Sequence, residues 1–136
     1  MDTPQDLAWL LGTDVHVHYN IPKRLWSILW LRGPKRGRVI GYARTIVLTK
    51  ATFHVSAAGR ARAQHEGTRS VHAHAVGTVT AINTEEDLTT LTRVSYSPDP
   101  ERPPTFHMPD NTPVYQAERA VFARPDPTSR HGYAWI

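Results

Sequence analysis

The sequence predicts an α+β protein: a mainly antiparallel β-sheet, laid out as a meander, with one or two short helices packed on it. Three observations carry this expectation. Apolar and polar residues alternate in β-branched runs such as Val15-His-Val-His-Tyr19 and Val71 to Ile82, which is the period of a half-buried strand. The runs are joined by short segments rich in Gly, Pro and Asn, which suits antiparallel neighbours. One stretch, Ala57 to His65, has both the composition and the caps of a helix.

Taken in order, residues 3–12 are expected to form a short helix. Thr3 is placed to cap it, Pro4 suits the first helical position, and Leu7, Leu10 and Leu11 share a face ahead of Gly12. Val15 to Tyr19 reads as a strand, and Asn20-Ile-Pro22 turns the chain. Leu25 to Leu31 is a second strand, with Trp26 and Trp30 on one face. Gly33-Pro-Lys-Arg-Gly37 is a turn, followed by Arg38 to Tyr42 and Thr45 to Leu48 as a strand pair or one bent strand. Ala51 to Val55 alternates again, with Phe53 and Val55 on one side.

Ser56 is a good helix N-cap and Gly67 a natural stop. Between them Gly59 weakens the helix by about 1 kcal/mol relative to Ala. Val71 to Ile82 returns as a strand, with Val71, Ala73 and Ala75 on one face and His72, His74 and Val76 on the other. Residues 84–96 favour extended chain. Pro98, Pro100, Pro103 and Pro104 make residues 97–104 a loop. Thr105 to Met108 and Val114 to Phe122 then form a closing strand pair, and the aromatic tail from Tyr133 either packs back on the body or meets a partner. All 136 residues constitute one domain by length. Within it lie a helical extension (1–12), a basic sheet–helix core (13–82), the Pro-rich loop (97–104) and the tail (123–136).

Charge is the clearest functional clue. Between Lys23 and Arg69 stand Lys23, Arg24, Arg32, Lys35, Arg36, Arg38, Arg44, Lys50, Arg60, Arg62 and Arg69, with Glu66 as the only acid. Elsewhere the balance reverses, so a net charge of +4 hides a strongly basic block beside a mildly acidic remainder. Such a block suits a phosphate-tracking surface, on which neutralised phosphates release counterions. Trp26, Trp30 and Tyr42 are candidate stacking platforms for unpaired bases.

Other chemistry is narrowed by absence. The chain has no cysteine, which removes disulfides, thiolate metal sites and thiol catalysis and fits a reducing cytoplasm. No apolar run approaches the ~18 residues of a membrane span. The N-terminus lacks the basic start and apolar core of a signal peptide. The expectation is a soluble intracellular protein with no membrane partner, no cofactor and no metal. None of Ser27, Ser56, Ser70 and Ser95 sits in Gly-x-Ser-x-Gly, and there is no phosphate loop or dinucleotide fingerprint.

Histidines come in two pairs, His16/His18 and His72/His74, each two residues apart and so on one face of a strand. Were the two strands neighbours, four imidazoles would converge, enough to hold a metal. No carboxylate lies between the members of either pair, and His-Glu-x-x-His is absent. Sheet-surface histidines are the expectation, ahead of a histidine acid–base role on a phosphodiester or metal binding.

The segments Tyr19-Asn-Ile-Pro-Lys23, Ser27-Ile28, Gly37 to Gly41, Ala51-Thr-Phe-His-Val55, Gly59-Arg60 with Arg62, and Val71-His-Ala73 form a set. Together they resemble a family of small bacteriophage and prophage proteins. Weaker echoes follow at Arg93 to Pro98, Thr105-Phe106 and Pro113-Val114. The resemblance implies a phage-encoded accessory protein acting in the host cytoplasm and brings no established activity. It is carried by Asn20, Lys23, Gly59, Arg60, Arg62, Arg69, His72 and Ala73. Pro22 stands where the family usually has histidine, and Thr68-Arg-Ser70 replaces a fuller basic run.

The binding candidates are therefore Asn20, Lys23, Arg38, Arg60, Arg62, Arg69 and His72. The leading expectation is a non-enzymatic basic module that contacts nucleic acid or a host nucleoprotein complex, in the manner of an anti-CRISPR inhibitor of host defence. A His72-dependent nuclease or phosphodiesterase and a structural particle component are the alternatives.

Overall fold

The computed structural model describes residues 6–67 and 73–136. It contains one curled antiparallel sheet of ten strands. The strands are β1 (Asp14–Asn20), β2 (Leu25–Trp30), β3 (Val39–Ala43), β4 (Ile46–Val55), β5 (Ala73–Ile82), β6 (Arg93–Tyr96), β7 (Phe106–His107), β8 (Pro113–Val114), β9 (Gln116–Ala123) and β10 (Tyr133–Trp135). Among the described residues there is a single α-helix, α1 (Ala57–Glu66), between β4 and β5. The sheet order is β3-β2-β1-β5-β4-β9-β10-β6-β7-β8.

The expected α+β class and antiparallel sheet are present, but the meander is interrupted: it holds for β1 to β3 and again for β6 to β8, with β5, β4, β9 and β10 between them. Arg38 to Tyr42 and Thr45 to Leu48 are not a pair. The chain leaves β3 at the sheet edge and crosses to the far side of β5, where β4 begins. Asn83 fastens this crossing to the end of β5: its side chain accepts from Arg44 N at 2.7 Å, and its own N–H donates to Thr45 O at 2.7 Å. β4 absorbs both Thr45 to Leu48 and Ala51 to Val55 in one strand that bends at Lys50, which has φ 50°. The register to β5 shifts between Thr49 and Thr52, and the bend brings β4 hard against Gly77. A Cβ at Gly77 would sit 2.9 Å from Thr49 O, so only glycine fits there.

The expected N-terminal helix is shorter than its periodicity suggested. Among the described residues it is a 3₁₀ turn, Ala8–Leu10, that buries Leu7 and Leu10 and leaves Trp9 57% exposed against Trp30. Helix α1 agrees with its caps. Ser56 Oγ accepts from Gly59 N at 3.0 Å, and Gly67 closes the helix in the left-handed region. Val114 to Phe122 is broken at Tyr115, giving β8 and β9 to different neighbours. The tail packs back as β10, inserted between β9 and β6.

Alternation sends Val15, Val17, Ile28, Phe53, Val55, Ala75 and Phe122 to the inner face. Ring contacts there join strands that are not neighbours: Trp26 to Phe122 at 5.2 Å and Phe53 to Phe106 at 4.8 Å. The sheet therefore rolls up around its own core. The second half of β4 meets the far end of the sheet, where Phe53 N donates to Tyr115 O and Val55 N to Pro104 O. A smaller apolar cluster, Val47, Val121, Ala123 and Trp135, lies on the outer face beneath Leu88 and Leu91.

Candidate functional site

Another part of the outer face carries a row of polar side chains, and β5 organises it. Because β5 lies between β1 and β4, His74 pairs with His18 on one side and with His54 on the other. Ser27 stands opposite His18, and Tyr42 opposite Ser27. Five strands thus place Tyr42, Ser27, His18, His74 and His54 in one row, about 19 Å long at the usual strand spacing. His16 sits diagonally behind, its ring 4.3 Å from His74 and 6.1 Å from His18. The His54 and His74 rings are 5.0 Å apart. His54 is exposed, and His16, His18 and His74 are half-buried.

His54 was missed in the sequence because it stands alone rather than in a pair. Its signal was the alternation of Phe53 and Val55, which sends His54 outward with the other imidazoles. The four rings gather hydrogen-bonding imidazole nitrogens on one surface of the sheet. Among the described residues, no three His, Asp or Glu side chains converge on a point that would take a metal ion.

The predicted binding residues divide into four groups. Asn20 and Lys23 come together beside the imidazole row. Asn20 Oδ1 accepts from Lys23 N at 3.1 Å, and the Lys23 ammonium lies over the Tyr42 ring, 4.8 Å from its centroid. Arg38 is exposed at the end of the turn before β3, and Arg62 is exposed on α1. Arg69 and His72 lie outside the described residues.

Arg60 differs from its expected place on a cationic surface. It is only 4% exposed, and its guanidinium donates to the carbonyls of Pro100, Arg102 and Pro103 at 3.1, 2.7 and 3.3 Å. Its work is to tie α1 to the Pro-rich loop, whose prolines have no N–H to offer and whose carbonyls need donors. Trp26, expected as a stacking platform, is likewise buried in the core at 5% exposure. Trp30 is half-buried against Trp9, and Tyr42 remains half-exposed on the outer face.

Charges elsewhere are unevenly spent. Arg32 donates to Asp14 at 2.9 Å, and Arg119 is paired with Glu86. The hydroxyl of Thr78 and the guanidinium of Arg32 hold the Asp14 carboxyl below its ordinary range. No such ion pair with a described residue engages Lys35, Arg36 or Arg38, all exposed around the turn between β2 and β3. Gly33 and Gly37 bound that turn with positive φ, 85° and 83°, so its two central cations are presented on a tight loop. His107 sits apart from this surface. Burial, then the nearby Arg102 and Arg60, push its imidazole down from the ordinary value.

Among the described residues no helix is long and apolar enough to cross a membrane. No curated protein and no solved structure matches the chain. Residues 10–128 match the family model of the Mycobacterium phage L5 gene 82 protein, a span that runs from the 3₁₀ turn through β9, and the chain therefore belongs to that phage protein family.

Proposed function

We infer that this phage protein is a non-enzymatic binding module that holds nucleic acid through the β2–β3 end of its sheet. The observation that carries this reading is the set Lys35, Arg36 and Arg38, exposed on a tight turn at the sheet edge and free of ion pairs with described residues. Cations free of ion pairs with described carboxylates can displace counterions from a phosphate backbone. Arg24 and Lys23 extend the positive surface at the other end of β2, next to the half-exposed Tyr42 ring.

Titration against fluorescent single-stranded DNA, duplex DNA and RNA at several salt concentrations tests this. Binding is expected to fall steeply with salt. The Lys35→Glu/Arg36→Glu/Arg38→Glu protein is expected to lose affinity and to lower the salt slope by about 3, one for each phosphate contact removed. Unchanged binding by that variant would overturn the reading. No binding at low salt would also overturn it, and would direct the basic face to an acidic host protein complex.

The imidazole row supports a second reading, a histidine-dependent phosphodiesterase. His18 and His74 are cross-strand partners, an arrangement that can place a general acid and a general base on one phosphodiester. Cleaved product on a denaturing gel, lost in His18→Ala and His74→Ala proteins, would establish it. Intact nucleic acid is the outcome the binding reading expects.

A further inference from the structure

The 3₁₀ turn Ala8–Leu10 holds an exposed indole on a well-anchored backbone. Leu7 and Leu10, on either side of Trp9, are buried in the core and tie the turn to the body. Backbone bonds fix it further: Leu10 N donates to Leu7 O at 2.9 Å, Gly12 N to Val79 O at 2.8 Å, and Val79 N to Thr13 O at 3.0 Å. Trp9 itself stays more than half exposed, with its ring centroid 5.9 Å from that of Trp30 and the two planes 40° apart. An aromatic ring left in water adds little to folding, because burial is what makes it stabilising.

Trp30 links this ring to the cationic turn. It is the last residue of β2, and Gly37 and Arg38 together stand opposite it. Gly37 N donates to Trp30 O at 2.8 Å and Trp30 N to Arg38 O at 3.0 Å, with Gly37 at φ 83°. This is a glycine bulge, in which one residue of a strand faces two on its neighbour. Lys35 and Arg36 precede it on the same turn. The exposed indole is thus one ring away from the strand pair that carries Lys35, Arg36 and Arg38.

We propose that Trp9 is a stacking platform for an unpaired base, so that this surface takes single-stranded nucleic acid in preference to duplex. The proposal rests on the nucleic-acid reading above and specifies the form of nucleic acid. A single-strand site needs cations that follow the backbone and an accessible aromatic face that takes a base. Both stand side by side here, the cations free of ion pairs with described residues and the indole open to solvent. Interior bases of a duplex already stack on their neighbours, so the indole adds nothing to duplex binding. Carboxylates of an acidic protein would answer the cations alone. The anchored turn also lowers the ordering cost of binding, since the platform is in place before the strand arrives.

The test is fluorescence anisotropy of a labelled single strand and of a duplex of the same length, titrated with the full chain across a salt series. Wild type is expected to bind the single strand more tightly. Trp9→Leu keeps an apolar side chain against Trp30 and removes the aromatic face. It is expected to weaken single-strand binding roughly five- to 150-fold, the contribution of one stacked base, and to leave duplex binding unchanged. Trp9→Phe is expected to recover most of the loss. Stacking releases no counterions, so Trp9→Leu is expected to keep the wild-type salt slope, which the Lys35→Glu/Arg36→Glu/Arg38→Glu protein lowers. Wild-type affinity of Trp9→Leu for the single strand would overturn the proposal and leave the nucleic-acid reading in place. An equal loss on single strand and duplex would also overturn it. Failure of wild type to bind either form would overturn both.

Discussion

The outer face of this sheet has two regions built from overlapping strands, and they differ in what covers them. Over β9, β10 and the first half of β4, the outward residues are Val47, Val121, Ala123 and Trp135, and the loop carrying Leu88 and Leu91 seals them. Over β1, β5 and the second half of β4, the outward residues are His16, His18, His74 and His54, half-buried or exposed. Both regions back onto the same inner core, with Leu48 and Phe122 under one and Val17, Phe53 and Ala75 under the other. The sealed region is there for stability, since apolar area removed from water drives folding. The imidazole region buries little apolar surface. Four histidines are a poor way to stabilise a sheet that could carry threonine or valine instead, so that region is where function is free to sit.

The largest effect expected of a single change falls on the shared inner core. Phe122 is 1% exposed and touches both Trp26 and Phe53, and Phe122→Ala is expected to cost about 3 to 5 kcal/mol in denaturant unfolding. A cost near zero would mean the two halves do not share one core.

Next comes the anchor between α1 and the Pro-rich loop. Arg60→Ala strips three carbonyls of their donor and is expected to cost about 2 to 4 kcal/mol. Arg60→Lys is expected to recover little of this, because an ammonium lacks the planar fork that reaches several carbonyls at once. Full recovery would show that charge alone anchors the loop.

A smaller effect is set by pH. His107 is buried, neither ring nitrogen has a hydrogen-bond partner, and its folded-state pKa lies below the unfolded value near 6.5. The unfolded chain therefore binds this proton first as pH falls. Stability held above pH 6.5 is lost as pH drops through 6.5 toward the lower folded pKa. Unfolding midpoints of wild type and His107→Phe, compared from pH 7.5 to pH 5, are expected to converge or cross as the pH falls, because only the wild type carries this penalty.

The smallest effect sharpens the contrast between the two outer regions. His54→Ala is expected to change stability by less than about 0.5 kcal/mol, whereas Val121→Ala in the sealed region is expected to cost about 1 to 2 kcal/mol. Equal costs would remove the distinction between a structural and a free region.

Much of this is legible in the sequence. Ser56 and Gly67 mark the ends of α1 because capping is a transaction between adjacent residues. The inward and outward sides of β1 and β5 follow from alternation alone. The site was less legible. His16, His18 and His74 were visible as outward residues, but their meeting depends on β5 pairing with β1. His54 joins them only because β4 lies on the other side of β5. Arg60 read as a surface cation on a polar helix, and only the Pro-rich loop some forty residues later gives its guanidinium a buried use.

By itself the sequence determined the antiparallel class, the two sides of the alternating strands β1 and β5, the ends of the helix, the cationic turn and the placement among phage proteins. These depend on residue types at fixed short spacings. Only the tertiary structure decided the strand order, the roll of the sheet, the row of imidazoles across five strands and the seat of Trp9 against Trp30. Each of those is a pairing between segments far apart in the chain. A local pattern of polar and apolar residues states which face a strand turns inward, but it is satisfied by many partners. The choice among them is made by how the whole core packs.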